Sequence, residues 1–174
     1  VVKSRSPKNR KIFRHLTLHS KIAITVTTCL ILAGAILIFI FEYANPLTIG
    51  EMGLFDKIQV SFFQSVTTRT AGFASVPQEN LTNASAAVSV ILMLIGGSPV
   101  GTAGGMKTVT IAVLICSALA TIRNKNSATL FGRRISESSI KKAVAVAVTF
   151  LTICSASTVL LMATSNASAL DAVY

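Results

Sequence analysis

The chain alternates between long uncharged stretches and short charged ones. The first uncharged run, residues 22–41, reads IAITVTTCLILAGAILIFIF, and a second, residues 143–163, follows the basic pair Lys141 and Lys142. Each run is long enough to cross a hydrocarbon core of about 30 Å as a helix that rises about 1.5 Å per residue. The pattern therefore predicts two membrane-crossing helices.

A third stretch, residues 81–122, is about twice as long as one crossing requires. Its middle reads GGSPVGTAGG, which contains five of the ten glycines and Pro99. Because Gly and Pro interrupt helices, we predict one crossing that is broken in mid-membrane. Irregular backbone at membrane depth is tolerated where protein or a water-filled cavity satisfies it, so the break indicates a pore.

A shorter pattern lies between the first crossing and the broken one. Residues 55–67 predict a helix too short to cross, and residues 68–74, TRTAGFA, predict a turn that returns in extended form. A short helix that ends inside the membrane points its negative dipole end towards the centre, which favours a cation there. Crossing, short helix, extended turn and second crossing form the arrangement of a cation-channel pore unit.

Composition and charge placement agree with a membrane protein. Hydrophobic residues make up 52% of the chain and charged residues 13%. Of the sixteen Lys and Arg, seven lie in residues 3–21 and six in residues 123–142. We predict that these two basic segments are cytoplasmic flanks of a multi-pass plasma-membrane protein. Aromatic residues do not interleave with them, so no nucleic-acid partner is expected.

The stretch from residue 42 to residue 80 has the opposite charge balance, which places it on the extracellular or periplasmic side. It contains Glu42, Glu51, Asp56 and Glu79 against Lys57 and Arg69. Arg69, beside the extended turn, has two interpretations. It braces the turn through Glu79 or Asp56, which we favour, or it influences ions at the outer mouth.

The segment GTAGGMKT, residues 101–108, misses the phosphate-binding pattern G-x-x-x-x-G-K-[ST] by one position. Met106 stands where the pattern needs its second glycine, and the two aspartates of the chain, Asp56 and Asp171, do not follow a β-like hydrophobic run that would place a magnesium ligand. We therefore expect that this chain binds no nucleotide and is not an enzyme. Lys107 is the only charged residue in residues 81–122. It is either a functional group inside the membrane or a side chain that reaches the interface or pairs locally, and the sequence leaves both open.

Two long motifs together resemble a known family. FFQSVTTRTAGF followed by IGGSPVGTAGGMKT is similar to the third pore repeat of the Trk/Ktr/HKT potassium transporters, in particular the membrane subunit of the bacterial Trk and Ktr systems. In that family, four such repeats in one polypeptide surround a single pore. The resemblance implies an all-α integral membrane protein built from channel-like units. Each unit has a crossing helix, a re-entrant pore helix with an extended filter loop, and a second crossing helix broken in mid-membrane.

The resemblance also implies a division of the chain and a set of functional residues. Residues 22–122 correspond to the third repeat, 123–142 to a cytoplasmic loop, and 143–174 to the incomplete start of the fourth repeat. The implied selectivity filter comprises Thr68, Thr70, Ala71, Gly72 and Phe73, with K⁺ bound by the backbone carbonyls of Thr70, Ala71 and Gly72. The implied gating loop, residues 96–107, includes Gly96, Gly97, Ser98, Pro99, Gly101, Gly104, Gly105 and Lys107.

The function implied by the resemblance is K⁺ uptake across the plasma membrane, with Na⁺ left open as a second ion. The implied partners are a cytosolic nucleotide-binding regulatory ring, a second copy of the full-length subunit, and membrane lipid. One alternative is a cation channel or Na⁺-coupled cation transporter without a regulatory subunit. A third class, a membrane-bound ATPase component, requires ATP bound at GTAGGMKT and lost on Lys107→Ala.

Overall fold

The computed structural model describes residues 16–69, 71–97, 104–124, 128–130 and 133–164. These residues are mostly helical, as predicted. The helices are α1 (Leu18–Glu42), α2 (Leu54–Thr67), α3 (Asn83–Leu94), α4 (Thr108–Ile122) and α5 (Glu137–Thr164). A short 3₁₀ helix, Gln78–Asn80, precedes α3, and two short strands, β1 (Thr129–Leu130) and β2 (Arg133–Arg134), lie between α4 and α5.

The helices α1 and α5 are long and apolar enough to cross a membrane, with 25 and 28 residues. They contain the two predicted runs, but both begin earlier than the apolar residues do. The hydroxyl of Thr17 accepts a hydrogen bond from the backbone N–H of Ser20 at 3.2 Å, which caps the start of α1. The hydroxyl of Ser136 accepts one from the N–H of Ser139 at 3.3 Å before the first turn of α5. Both helices therefore extend into the basic segments.

The third apolar stretch is divided between α3 and α4. The helix α3 ends at Leu94 and α4 begins at Thr108, and the described residues between them, 95–97 and 104–107, are not helical. Thr82 caps α3, because its hydroxyl accepts the N–H of Ser85 at 3.3 Å. Neither half is long enough to cross a membrane alone.

The helix α1 is the centre of the packing, because α2, α3 and α4 all contact it, whereas α5 packs on α4. The segment between α4 and α5, expected only as a basic loop, contains an antiparallel hairpin in which Thr129 pairs with Arg134. Its base closes where the N–H of Ile135 donates to the carbonyl of Ala128 at 2.9 Å. Ala128 and Ile135 are buried in a small core with residues of α4 and α5, which anchors the described part of the hairpin.

Candidate ion pathway

The turn after α2 contains a glycine in the left-handed region. Gly72 has φ +77°, and a Cβ built on it would meet no atom within 4 Å. Backbone conformation, and not space, therefore requires glycine here. The amides of Ala71 and Gly72 donate to the carbonyl of Thr67 at 3.0 and 3.4 Å, so the turn folds back on the last residue of α2.

The side chain of Thr67 holds the far end of this turn. Its hydroxyl donates to the carbonyl of Phe73 at 2.6 Å and accepts the N–H of the same residue at 2.8 Å. Thr67 is itself buried and Phe73 is exposed, so both bonds are partly shielded from water. Sequence reasoning assigned Thr67 to the pore helix and missed this role. The feature of the sequence that indicates this role is the hydroxyl residue Thr67 just before the turn that contains Gly72.

The predicted filter residues divide into a buried and an exposed group. Thr68 is 3% exposed, and its hydroxyl donates to the carbonyl of Ser65 at 3.2 Å, so this side chain belongs to the end of α2. Ala71, Gly72 and Phe73 are exposed on the described part of the chain. Thr70 lies outside the described residues. The buried Thr67 thus holds the backbone of the turn by hydrogen bonds, while Ala71, Gly72 and Phe73 are exposed.

A pair of amide side chains connects α2 to the segment that follows the turn. Nε2 of Gln64 donates to Oε1 of Gln78 at 2.6 Å, and Nε2 of Gln78 donates to the carbonyl of Val76 at 2.8 Å. A cavity of about 170 Å³ lies between these amides, the turn and Met93 of α3. The extended segment is therefore supported from α2 by polar contacts as well as by Thr67.

Arg69 connects the turn to two other elements, although not through the acidic residues that we favoured. Its Nη2 donates to the carbonyl of Gly96 at 3.3 Å, and its Nη1 lies 3.5 Å from the carbonyl of Thr27 in α1. Nε has no hydrogen-bond partner among the described residues, and the side chain is buried. The expected partners Glu79 and Asp56 are not involved. The prediction of a bracing role is consistent with these contacts, but the predicted partners were wrong.

The two described ends of the non-helical segment between α3 and α4 lie close together. The N–H of Met106 donates to the carbonyl of Leu94 at 2.9 Å, so the chain leaves the helical path and returns to it at nearly the same point. A Cβ on Gly96 would collide with the carbonyl oxygen of Gly104. Gly105 has φ +74°, and a Cβ on it would lie 2.7 Å from the carbonyl oxygen of Met93. We call the contact of Leu94 and Gly96 with Gly104, Gly105 and Met106 the neck of the loop.

The neck accounts for three of the predicted gating-loop glycines. Gly96 and Gly105 permit the close backbone approach, and Gly104 supplies the carbonyl that faces Gly96. Gly97 follows Gly96 in the non-helical segment, and Lys107 is half-buried at the residue before α4. Ser98, Pro99 and Gly101 lie outside the described residues. Arg69 thus joins the turn after α2 to the neck through Gly96.

The carboxylate of Glu42 is buried at the C-terminal end of α1. From charge alone, Glu42 was expected only to be part of an outer acidic segment. One oxygen of Glu42, Oε1, accepts hydrogen bonds from the N–H and the hydroxyl of Thr82, at 2.9 and 2.7 Å. The other, Oε2, accepts from Nδ2 of Asn45 at 2.7 Å and from the hydroxyl of Thr48 at 2.6 Å. Because Thr82 caps α3, this carboxylate fixes the end of α1 against the start of α3.

Lys57 of α2 is also satisfied without an acidic partner. Its Nζ donates to the carbonyl of Tyr43 at 2.9 Å and lies 4.2 Å from the centre of the Tyr43 ring. This cation–π contact joins α2 to the residue after α1. With Glu42 and Arg69, Lys57 is a third buried charge whose described partners are neutral groups.

Comparison with known proteins agrees with this architecture. The TrkH family model, described as a cation transport protein, matches residues 7–171. The chain is 39% identical over 144 residues to the Ktr system potassium uptake protein B of Bacillus subtilis, an alignment that covers 83% of this chain and 32% of the relative. It is 36% identical over 141 residues to the potassium/sodium uptake protein NtpJ of Enterococcus hirae, covering 81% and 31%.

A third relative is the Ktr system potassium uptake protein B of Vibrio alginolyticus, 35% identical over 159 residues, with 91% of this chain and 35% of the relative covered. The chain therefore spans about a third of the length of the curated relatives that it matches. The family model covers almost the whole chain, and the two quoted motifs lie inside the matched range. The chain belongs to the TrkH family of cation transport proteins, as the motif resemblance indicated.

Proposed function

We propose that this chain supplies one pore unit of a protein that takes up K⁺ across the plasma membrane. The observation that carries the proposal is the turn after α2. There, Gly72 adopts a left-handed conformation and Thr67 holds the backbone of Phe73 from behind. The names of the relatives, which are potassium or potassium/sodium uptake proteins, support the choice of ion.

In this proposal, four such units surround one pore, and residues 68–74 form a quarter of the filter. The carbonyls of Thr70, Ala71 and Gly72 replace the water that K⁺ loses on entering. The two hydrogen bonds of Thr67 fix the direction of the adjoining backbone at Phe73. Inward movement is driven by the membrane potential, which contributes about 2.3 kcal/mol per charge for each 100 mV.

The loop formed by residues 96–107 is proposed as the gate below the filter. Support comes from the position of Arg69, which donates to Gly96 at the neck and follows Thr68 directly in the chain. A cytosolic nucleotide-binding ring would open the gate by moving the broken helix, and the full-length subunit would form a homodimer. The basic segments at residues 1–21 and 123–142 would face the cytoplasm and the filter the outside.

Na⁺ is a second candidate ion because one relative is a potassium/sodium uptake protein. A cation channel or Na⁺-coupled transporter without a regulatory subunit remains the alternative mechanism. The two mechanisms differ in one observable. Only the mechanism with a cytosolic regulatory ring requires a cytosolic partner for full uptake.

The proposal is tested with the full-length polypeptide in cells that lack their own K⁺ uptake, by measuring K⁺ and Na⁺ uptake with and without a cytosolic partner. Gly72→Ser forces a side chain onto a left-handed backbone, which costs about 1–2 kcal/mol and distorts the turn. We expect the parent to prefer K⁺ and the variant to lose most of that preference.

Gly53→Ser is the matched control. Gly53 precedes α2 with φ −61°, and its Cβ would have ordinary contacts only. Serine is also a good residue at a helix start, so this variant should retain the K⁺ preference of the parent. Loss of K⁺ preference in both variants, or in neither, contradicts the assignment of the filter. Absence of uptake by the parent, even with a cytosolic partner, contradicts the function.

A further inference from the structure

A cavity of about 590 Å³ is lined by residues outside the turn after α2 and outside the neck, although its lining residue Val109 follows Met106 of the neck by three residues. Four elements surround it: the start of α1, the start of α4, the residues around β2, and the start of α5. Its volume lies within the ordinary range for small-molecule sites. None of its lining residues belongs to the proposed filter or gate.

The polar part of the cavity is basic. His19 comes from α1, Arg134 from β2 and Lys142 from α5, so three separate elements converge on it. Within the described part of the chain, these three side chains have no hydrogen bond or ion pair. The hydroxyl residues Ser136 and Ser139 complete the polar side. Glu137 is the nearest acidic residue in sequence, and it does not line the cavity.

The opposite part of the cavity is apolar and continues towards the outer surface of α5. Ile22, Val113 and Ala143 form a buried floor. Val146 follows Lys142 by one helical turn and is 51% exposed. Because i and i+4 positions share a helix face, an apolar path leads from Lys142 past Val146 along a helix long enough to cross the membrane.

We propose that this cavity binds an anionic phospholipid. The phosphate lies among Arg134, Lys142 and His19, and the first part of an acyl chain lies on Ile22 and Val146. Both α1 and α5 are spanning candidates whose apolar windows are only 11% and 6% buried, so the basic residues at their starts lie at headgroup level. Basic pockets between transmembrane helices are suited to phospholipid headgroups.

A lipid accounts for the cavity better than free phosphate does. Phosphate alone would use the basic side and leave the apolar floor and the path past Val146 without a partner. A phospholipid matches both parts, because its charged and apolar groups are joined in the order in which the cavity presents them. The bound lipid would connect α1, α4 and α5 at one end, independently of the ion that the full-length protein transports.

The test uses the full-length polypeptide in detergent, with lipid binding measured by native mass spectrometry. The probes are dioleoyl phosphatidylglycerol, dioleoyl phosphatidylcholine and inorganic phosphate. Arg134→Gln with Lys142→Gln removes two positive charges. Each basic residue near an anionic headgroup contributes about a factor of five, so phosphatidylglycerol affinity should fall roughly 30-fold.

The matched control is Arg123→Gln with Lys141→Gln, which removes the same charge from exposed residues that do not line the cavity. Its affinity for phosphatidylglycerol should stay within about twofold of the parent, while Arg134→Lys with Lys142→Arg should retain most of the binding. Thermal unfolding in detergent checks that the variants fold.

Three outcomes overturn the proposal. The first is an equal loss of affinity in the control, which would show a general charge effect. The second is equal binding of phosphatidylcholine and phosphatidylglycerol by the parent. The third is displacement of phosphatidylglycerol by millimolar inorganic phosphate, which would identify a free-phosphate site. Selective binding of phosphatidylglycerol, lost only in the Arg134 and Lys142 variant, supports it.

Discussion

The region formed by α1, α2 and α3 uses its polar side chains differently from α5. In the first region, polar groups bond from one element to another. Ser65 of α2 donates to the carbonyl of Ile31 in α1 at 2.8 Å, and Thr82 donates to Glu42, forty residues away. These contacts determine how the elements lie against one another.

In α5, the hydroxyl groups bond within their own helix. Thr152 donates to the carbonyl of Val148 at 2.8 Å, and Ser155 donates to that of Leu151 at 2.8 Å, each four residues earlier. Such bonds satisfy a polar group inside a membrane without any neighbour. The comparison teaches that hydroxyl content alone does not identify a functional core. What distinguishes the first region is that its polar bonds cross between elements.

The largest expected difference between the two regions concerns their carboxylates. Glu42→Ala would leave the donors on Thr82, Asn45 and Thr48 without their acceptor, at a cost of about 3–5 kcal/mol in the free energy of unfolding. We expect a large fall in the midpoint of thermal unfolding, measured on the full-length protein in detergent by size-exclusion chromatography with fluorescence detection.

Glu137→Ala is the control from α5. Glu137 is exposed in the first turn, where it contributes at most about 1 kcal/mol through the helix dipole. Similar midpoints for the two variants would remove the distinction between the regions.

A smaller effect on stability, but a specific effect on function, is expected for Arg69→Gln. The substitution removes charged donors to the carbonyls of Thr27 and Gly96, at a cost of about 1–3 kcal/mol. Because Gly96 belongs to the neck, we expect uptake to depend less on the cytosolic partner than in the parent. The measurement is the ratio of K⁺ uptake with and without that partner.

Arg69→Lys retains the charge and should give an intermediate ratio. Arg123→Gln, an exposed residue at the end of α4, should leave the ratio unchanged. An unchanged ratio in Arg69→Gln, with stability also unchanged, would show that Arg69 does not couple the turn to the neck.

The smallest effect compares two serines. Ser65→Ala removes a bond that a fully buried serine of α2 makes to α1, and it should cost about 1 kcal/mol. Ser155→Ala removes an exposed bond within α5 and should change stability by less than about 0.5 kcal/mol. The same thermal measurement resolves the order of the two variants. A larger loss of stability in Ser155→Ala than in Ser65→Ala would mean that the hydroxyl groups of α5 stabilise the protein more than their bonds within the helix indicate.

The sequence predicted the elements better than the contacts between them. Hydropathy located the apolar parts of α1 and α5, because an uncharged run of membrane length has few alternatives. Clustered glycines indicated the interruption between α3 and α4. The exact starts of α1 and α5 were missed, because Thr17 and Ser136 cap helices inside segments that charge alone marked as flanks.

The partners of the buried charges could not be read from the sequence. Glu42 was treated as one of several outer acidic residues, and Arg69 was paired with acidic residues near it in the chain. In the structure, both bond to groups of other segments, 27 to 42 residues away for Arg69 and up to 40 for Glu42. Hydropathy and local spacing carry no information about such distances. The hydrogen-bonding capacity of a backbone carbonyl is the same at every residue.

The neck fixes the two ends of the loop between α3 and α4. Because Leu94 and Met106 are joined by a backbone hydrogen bond, the two ends of the loop are held together. Lengthening a loop whose ends are fixed raises the entropic cost of closing it only logarithmically, by about 0.6 kcal/mol for each doubling of its length. A change in the length of this loop should therefore cost little stability as long as Leu94 and Met106 keep their hydrogen bond.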